Sequence, residues 1–369
     1  MDEIPTIEEI KHAAISIQPF IHKTPVLCSK TLDSFATDAL GCKTSLLFKC
    51  ENFQKVGGAH FIAVWLLLLT PGRLAFKMRG ATYAIQRLLQ TVSDPKTLTV
   101  ITHSSGNHAQ ALALAARQLG VKAHVVMPRT APLVKKNAVL GYGATVTECE
   151  PTLEAREAAT DSLFERLPRE ANERGEQCTV RFIPPYDHLD IVRGQGTVAF
   201  ELVDQADNLD RPLDIVITPV GGGGLLSGVS VATKGLRSNT LVFGAEPTGA
   251  NDAQKSFRSK TFHPSVKPNT IADGLLTSLG KITFPLILAN VDDIYTVTDQ
   301  EIAAAMRLIW ERLKIVVEPS SCVTLAVVLF STEFRDRIAQ LGRPSINIGL
   351  VLSGGNVDLK NCLSILADA

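Results

Sequence analysis

An α/β protein with parallel sheets is what this sequence predicts, and three observations carry that prediction. Short β-branched runs alternate with helical patterns along the chain, the order of βαβ units. Glycine- and serine-rich turns follow three of the runs, where ligands of open α/β sheets bind. The bulk composition is that of a soluble globular enzyme: 369 residues, 45% hydrophobic and 20% charged. That length accommodates one large or two medium domains with a sizeable core.

A first set of units opens with a β-branched strand at Leu98–Thr102, followed by a helix at Asn107–Leu119 and a strand at Ala123–Met127. It continues with a helix at Ala131–Leu140, a strand at Ala144–Thr147 and a helix at Leu153–Arg166. A second set has a strand at Asp214–Val220, a helix at Leu225–Leu236, and strands at Leu241–Ala245 and Asp293–Val297. It closes with a helix at Gln300–Lys314 and a strand at Ile346–Leu352. There is no tandem repeat, heptad series or low-complexity tract.

Charge and cysteine usage exclude several classes. The 37 basic and 37 acidic residues cancel, so there is no general field for nucleic acid or an anionic membrane. Seven scattered cysteines without a C-x-x-C pair read as reduced thiols and a cytoplasmic protein. Met1–Lys11 is acidic and lacks the layout of a secretion signal. Only Phe61–Leu69 is membrane-like, and a span needs about 20 residues.

Chemistry concentrates in four places: Lys77, the turn His103–His108, the tetraglycine Gly221–Gly224, and the turn Ser353–Asn356. A lysine amine can form a Schiff base with an aldehyde cofactor, whose phosphate, ring oxygen and ring nitrogen then need partners. Each turn can supply one of those. Amides from Ser104 to His108 would point from a helix N-terminus toward an anion such as a substrate carboxylate. Four residues without β-carbons bring their amides close to a phosphate. Each feature also has a plain structural reading. Lys77 can be a solvated surface charge, Ser105 a helix N-cap and Asn107 a turn residue, and Ser353 a strand-to-turn hydroxyl. The tetraglycine could serve a dinucleotide, although it lacks the G-x-G-x-x-G spacing. The eight histidines form no i, i+4 pair, so no transition-metal centre is expected.

Taken together, these segments resemble the fold-type II pyridoxal-phosphate enzymes, in the group of serine racemases, serine/threonine dehydratases and threo-3-hydroxyaspartate dehydratases. The likeness runs from about Ile10 to the C-terminus. It includes His22–Val26, Phe48–Lys55, Phe76–Ala81, Ser104–His108, Gly194–Thr197, Gly221–Gly224, Ile271–Gly274 and Ser353–Asn356. The resemblance implies two open, twisted, mostly parallel sheets flanked by helices. Residues 1–98 and 188–369 would form a large cofactor-binding domain and 99–187 a small one.

By the same resemblance Lys77 carries the cofactor, Phe76 packs near its ring and Asn107 bonds the ring hydroxyl. Gly221, Gly222, Gly223 and Gly224 hold the phosphate, and Ser353 meets the pyridine nitrogen. Ser104, Ser105, Asn107 and His108 face the amino-acid substrate, and Arg156 falls where a cation can pair with a second substrate carboxylate. A solvated helix arginine is the plain alternative. Lys77 would be the base on one face of Cα and Ser105 the proton donor on the other. A neutral serine partner makes the ring a soft electron sink, which favours prompt loss of a β-hydroxyl over transamination. Glu246, the Ala250 carbonyl and Asp252 resemble a divalent-cation site for Mg²⁺ or Ca²⁺, against the alternative of an acidic surface turn. A homodimer is implied, and a C-terminal regulatory domain is not expected.

The sequence departs from the family pattern in one large way and several small ones. About seventeen residues, 58–74, intervene between Gly57 and the lysine motif. We read this apolar run as a retained in-frame intron, which transcript sequencing would decide, and its position before Lys77 raises the alternative of a protein that binds cofactor but is catalytically impaired. Arg193, Pro184 and Ser320–Cys322 stand where other residues are usual. The expected activity is elimination of water from threo-3-hydroxyaspartate, serine or threonine, with serine racemisation as the alternative main activity.

Overall fold

The computed structural model describes residues 4–55, 75–358, 362 and 364–366. The apolar insertion at 58–74 lies outside the described residues.

The strands are β1 (Val26–Leu27), β2 (Lys43–Cys50), β3 (Leu98–His103), β4 (Lys122–Pro128), β5 (Thr145–Cys149), β6 (Thr179–Phe182), β7 (Ile215–Pro219), β8 (Leu241–Pro247), β9 (Asp293–Val297) and β10 (Ser345–Leu352). They form two sheets, ordered β1-β2-β10-β7-β8-β9 and β5-β4-β3-β6. Every pairing is parallel except β1 with β2. Helices alternate with the strands: α1 (Ile7–Ile17), α2 (Lys30–Leu40), α3 (Lys77–Leu89), α4 (Asn107–Gln118), α5 (Leu133–Gly141), α6 (Leu153–Glu173), α7 (Leu189–Asp207), α8 (Gly224–Leu236), α9 (Asp252–Ser259), α10 (Thr283–Asn290), α11 (Asp299–Arg312), α12 (Pro319–Phe330) and α13 (Thr332–Leu341).

The two-residue period of a strand decides which layer each side chain joins. Leu46, Phe48, Ile215, Ile217, Ile348 and Leu350 enter one core with α2, α11, α12 and α13. Their neighbours Leu47, Val216 and Val351 enter another with α1, α7 and α8. Helix α12 buries nearly every residue, so its sequence shows no amphipathic period. The four-stranded sheet builds a further core with α1, α3 and α4.

Of the twelve elements the sequence predicts, all but one begin and end within two residues of the expectation, while α1, α2, α3, α7, α9, α10, α12, α13, β1, β2 and β6 have no counterpart in it. Helix α6 differs, running to Glu173 through Pro168, whereas the sequence pattern predicts an end at Arg166. Leu163 and Ala171 are buried on either side of the proline, and that packing outweighs the local cost of a missing N–H.

Helix α7 ties the two halves of the candidate site together. A β-carbon on Gly194 would lie 2.6 Å from the Gly80 Cα of α3. One on Gly228 of α8 would lie 2.3 Å from the Val192 carbonyl oxygen of α7. Backbone therefore meets backbone on both sides of α7, and α3 and α8 are held at a fixed separation.

Candidate functional site

The three glycine- and serine-rich turns all leave the carboxyl ends of strands. Ser104–Gly106 joins β3 to α4, Val220–Gly223 joins β7 to α8, and Ser353 follows β10. Lys77 is the first residue of α3, and its amine reaches Pro185, next to the Tyr186 ring that meets Gly222.

Several contacts fix Lys77 there. The Phe76 amide donates to the Ser353 carbonyl at 3.1 Å, fastening the turn before α3 to the loop after β10. The Lys77 amine donates to the Pro185 carbonyl at 2.6 Å and lies 5.0 Å from the centre of the Phe76 ring. Burial disfavours the charged amine and pulls its pKa down to about 8. A neutral amine, the form that attacks an aldehyde, is thus accessible near neutral pH.

Two residues along α3, Arg79 is fully buried and meets two carboxylates face to face. It donates to Glu51 at 2.8 Å from both Nε and Nη2, and to Glu201 at 2.8 Å from both Nη1 and Nη2. Thr24 donates to Glu51 at 2.5 Å, and Lys49 donates to Glu201 at 2.6 Å. Burial alone would raise the Glu51 pKa, but the Arg79 guanidinium more than offsets it and holds the carboxylate ionised. This network joins β2 and the turn after it to α3 and α7.

The tetraglycine loop is closely enclosed. A β-carbon on Gly222 would lie 2.4 Å from the Tyr186 ring, and one on Gly223 would lie 2.8 Å from Thr283. Gly223 also has φ +87°, which L side chains rarely adopt. Thr283 donates from its hydroxyl to the Gly222 carbonyl at 2.8 Å, and Asp187 accepts from the amides of Lys281, Ile282 and Thr283. The amides of Gly221, Gly222 and Gly223 donate to no acceptor among the described residues. A loop with free N–H groups at the head of α8 and no room for side chains fits a phosphate.

Asn107, the first residue of α4, donates to Glu318 at 2.9 Å and accepts from Asn356 Nδ2 at 2.7 Å. Glu318 also accepts from the Asn356 amide at 3.1 Å. Burial, helped by nearby Asp273, raises the Glu318 pKa to about 7. Ser353 is buried, with its hydroxyl 3.2 Å from that of Ser321. Ser104 donates its amide to the Val126 carbonyl and accepts from the Gly106 amide. Ser105 is partly exposed beside it.

His108 is buried and pairs through Nε2 with the Ile183 carbonyl at 3.1 Å. Burial and the nearby Lys77 charge push its pKa down to about 3. It is therefore a neutral ring with Nε2 protonated, and its buried Nδ1 has no partner among the described residues. Arg156 lies in the first turn of α6, and its buried Nε likewise has no partner among the described residues. After burial, the Arg156 charge is the largest influence lowering the pKa of His103, which ends β3.

Glu246 and Asp252 form a separate buried pair. The two oxygens of Glu246 accept from the amides of Ala253 and Gln254 at 2.9 and 3.0 Å, and burial holds its pKa well above the carboxylate range. Among the described residues neither oxygen of Asp252 makes a hydrogen bond of normal geometry, although the Ser265 hydroxyl lies near enough to lower its pKa. Ala250 is buried in the turn between them. Among the described residues there is no group of three or more His, Cys, Asp or Glu side chains suited to a metal, so any cation here would rely on this pair and a carbonyl.

Pro185, Tyr186, Asp187, Glu318 and Ser321 were not singled out as site residues by the sequence. Their only signal in the sequence is that Pro184 and Ser320–Cys322 are unusual neighbours of familiar motifs.

The family model described as "Pyridoxal-phosphate dependent enzyme" matches residues 17–354. The chain is 46% identical over 365 residues to a serine racemase of Dictyostelium discoideum, covering 98% of each. It is 41% identical to an L-threo-3-hydroxyaspartate ammonia-lyase of Saccharomyces cerevisiae, covering 99% of this chain and 97% of the other. The crystal structure of the Dictyostelium serine racemase superposes with a TM-score of 0.79 at 44% identity, covering 96% of this chain and all of that one.

Proposed function

Since the chain belongs to the pyridoxal-phosphate dependent enzyme family, we propose that it eliminates water from a β-hydroxy amino acid, releasing a 2-oxo acid and ammonia. The substrates in view are threo-3-hydroxyaspartate, serine and threonine. The observation that carries this reading is the half-buried Lys77 amine, with its pKa brought down to about 8, donating to Pro185 next to the Tyr186 ring that encloses the tetraglycine loop, while the residue before it is bonded to Ser353.

In this reading Lys77 holds the cofactor, Gly221–Gly224 cradle its phosphate, Asn107 faces its ring hydroxyl, Phe76 packs beside it and Ser353 meets its ring nitrogen. Pyridoxal phosphate, when bound, supplies a conjugated ring that accommodates negative charge developing at the substrate Cα. The amide edge of Ser104–His108 takes the substrate carboxylate. Lys77, as a neutral amine, removes the Cα proton, and the same ammonium can then protonate the departing hydroxyl. Arg156 pairs with the second carboxylate of hydroxyaspartate; its Nε, without a partner among the described residues, supports that role. Glu246, Ala250 and Asp252 hold Mg²⁺ or Ca²⁺, supported by the two oxygens of Asp252 that make no hydrogen bond of normal geometry among the described residues. We extend the reading to a cytoplasmic homodimer with the small domain at residues 99–187.

Serine racemisation is the second reading, favoured by the similarity to a serine racemase. In it Ser105 returns a proton to the face of Cα opposite Lys77. One preparation assayed for 2-oxo acid from all three substrates, and for D-serine from L-serine, separates the two. Oxo acid in excess supports elimination; D-serine in excess supports racemisation. Bound cofactor with neither product would instead identify a catalytically silent protein.

A further inference from the structure

Behind Ser353 lies a second buried hydroxyl that the reading above leaves unused. Ser321, in the first turn of α12, places its Oγ 3.2 Å from Ser353 Oγ. The same oxygen is 2.8 Å from the Gly354 carbonyl and 2.8 Å from the Gly354 amide nitrogen. Both serines are buried, so these contacts must satisfy them.

A hydroxyl has one hydrogen and two lone pairs. The Gly354 carbonyl only accepts, so it takes the Ser321 hydrogen. The Gly354 amide only donates, so it fills one Ser321 lone pair. The lone pair that remains faces Ser353, and the hydrogen between the two serines is then the one belonging to Ser353.

We propose that Ser321 is a positioning residue that draws the Ser353 hydrogen inward and leaves the Ser353 lone pairs facing the cofactor's ring nitrogen. A Ser353 that presents lone pairs favours the protonated pyridine, from which it accepts, over the neutral one, to which it would have to donate. This rests on the reading of Ser353 as the ring-nitrogen partner. Its consequence runs against what a lone neutral serine would give, because a protonated ring withdraws more charge from Cα. The racemisation-to-elimination ratio rises accordingly. At 3.2 Å the bond is longer than the usual O–H···O distance, so the bias is that of one ordinary neutral hydrogen bond, about threefold to tenfold in the protonated-to-neutral ratio.

The test reconstitutes the full chain with cofactor labelled with ¹⁵N in the ring and records its nitrogen resonance. Wild type is compared with Ser321→Ala, Ser321→Gly, Ser321→Thr and Ser353→Ala, each checked by thermal melting. The expected result is a shift toward the neutral-pyridine position in Ser321→Ala and Ser321→Gly, with Ser321→Thr remaining at the wild-type position. The racemisation-to-elimination ratio should fall about threefold to tenfold in the two variants that lack the hydroxyl. If Ser353→Ala moves the resonance and Ser321→Ala does not, the role of Ser321 is overturned while Ser353 stands. If Ser353→Ala also leaves it unmoved, Ser353 is not the partner and both ideas fail.

Discussion

The Phe76 amide and the Ser353 carbonyl are joined at 3.1 Å, so the residue preceding the candidate cofactor lysine is anchored to the residue assigned to the ring nitrogen. One backbone hydrogen bond therefore couples the two ends of the proposed cofactor pocket. Lys77 and Ser353 cannot shift independently without breaking it, and such a break would leave buried polar groups unpaired.

The lowered pKa of Lys77 sets a pH profile for cofactor capture. Only the neutral amine attacks the aldehyde, so the rate at which apoenzyme binds pyridoxal phosphate should rise with pH and level off above about 8. Stopped-flow absorbance would measure it. A midpoint near the ordinary lysine value would show that burial does not act as described. The same shift affects apoenzyme stability. Between the folded and unfolded pKa values the unfolded chain binds the extra proton, so this contribution favours folding increasingly as pH rises through that window.

A methyl group in the tetraglycine loop should weaken cofactor binding. Gly222→Ala would bring a β-carbon within 2.4 Å of the Tyr186 ring, and the ring or the loop must move. We expect the Kd for pyridoxal phosphate, followed by fluorescence, to rise at least about tenfold, with little loss of helix content. An unchanged Kd would argue that the loop is not the phosphate cradle.

Arg79→Ala should be strongly destabilising. It strands Glu51 and Glu201 without the guanidinium that both face, and breaking a buried pair from one side costs about 3–5 kcal/mol. Urea denaturation would read the loss directly. Arg79→Lys keeps the charge without the forked geometry and should recover only part of it. Wild-type stability in either variant would contradict the network's role in seating α3.

Divalent cations should stabilise the protein through Glu246 and Asp252. Mg²⁺ or Ca²⁺ is expected to raise Tm, chelator to reverse the gain, and Asp252→Asn to abolish it. Because burial raises both carboxyl pKa values, protons compete with the cation. The gain should therefore grow from acidic to neutral pH. A cation effect that survives Asp252→Asn would place the ion elsewhere.

The layered architecture was legible in the chain because parallel strands buried on both faces leave short β-branched runs, as at β3, β7 and β10. The loops at their carboxyl ends were legible through glycine, which marks close backbone approach. Helix α12 and the network around Arg79 were not. The former has no polar face to give a period. The latter pairs Arg79 with Glu201, which is far away in sequence, and no local spacing records that contact. Glu318 and Ser321 escaped for a related reason: both act through partners on α4 or after β10 that only the fold brings near.

The central claim is a covalent bond between Lys77 and the cofactor aldehyde. Borohydride reduction of the purified holoprotein, followed by digestion and mass spectrometry, tests it most directly. The account predicts the reduced pyridoxyl phosphate mass on the peptide containing Lys77, absent from Lys77→Ala. A label on a different lysine, or no label on a protein that retains the cofactor's absorbance, would contradict it.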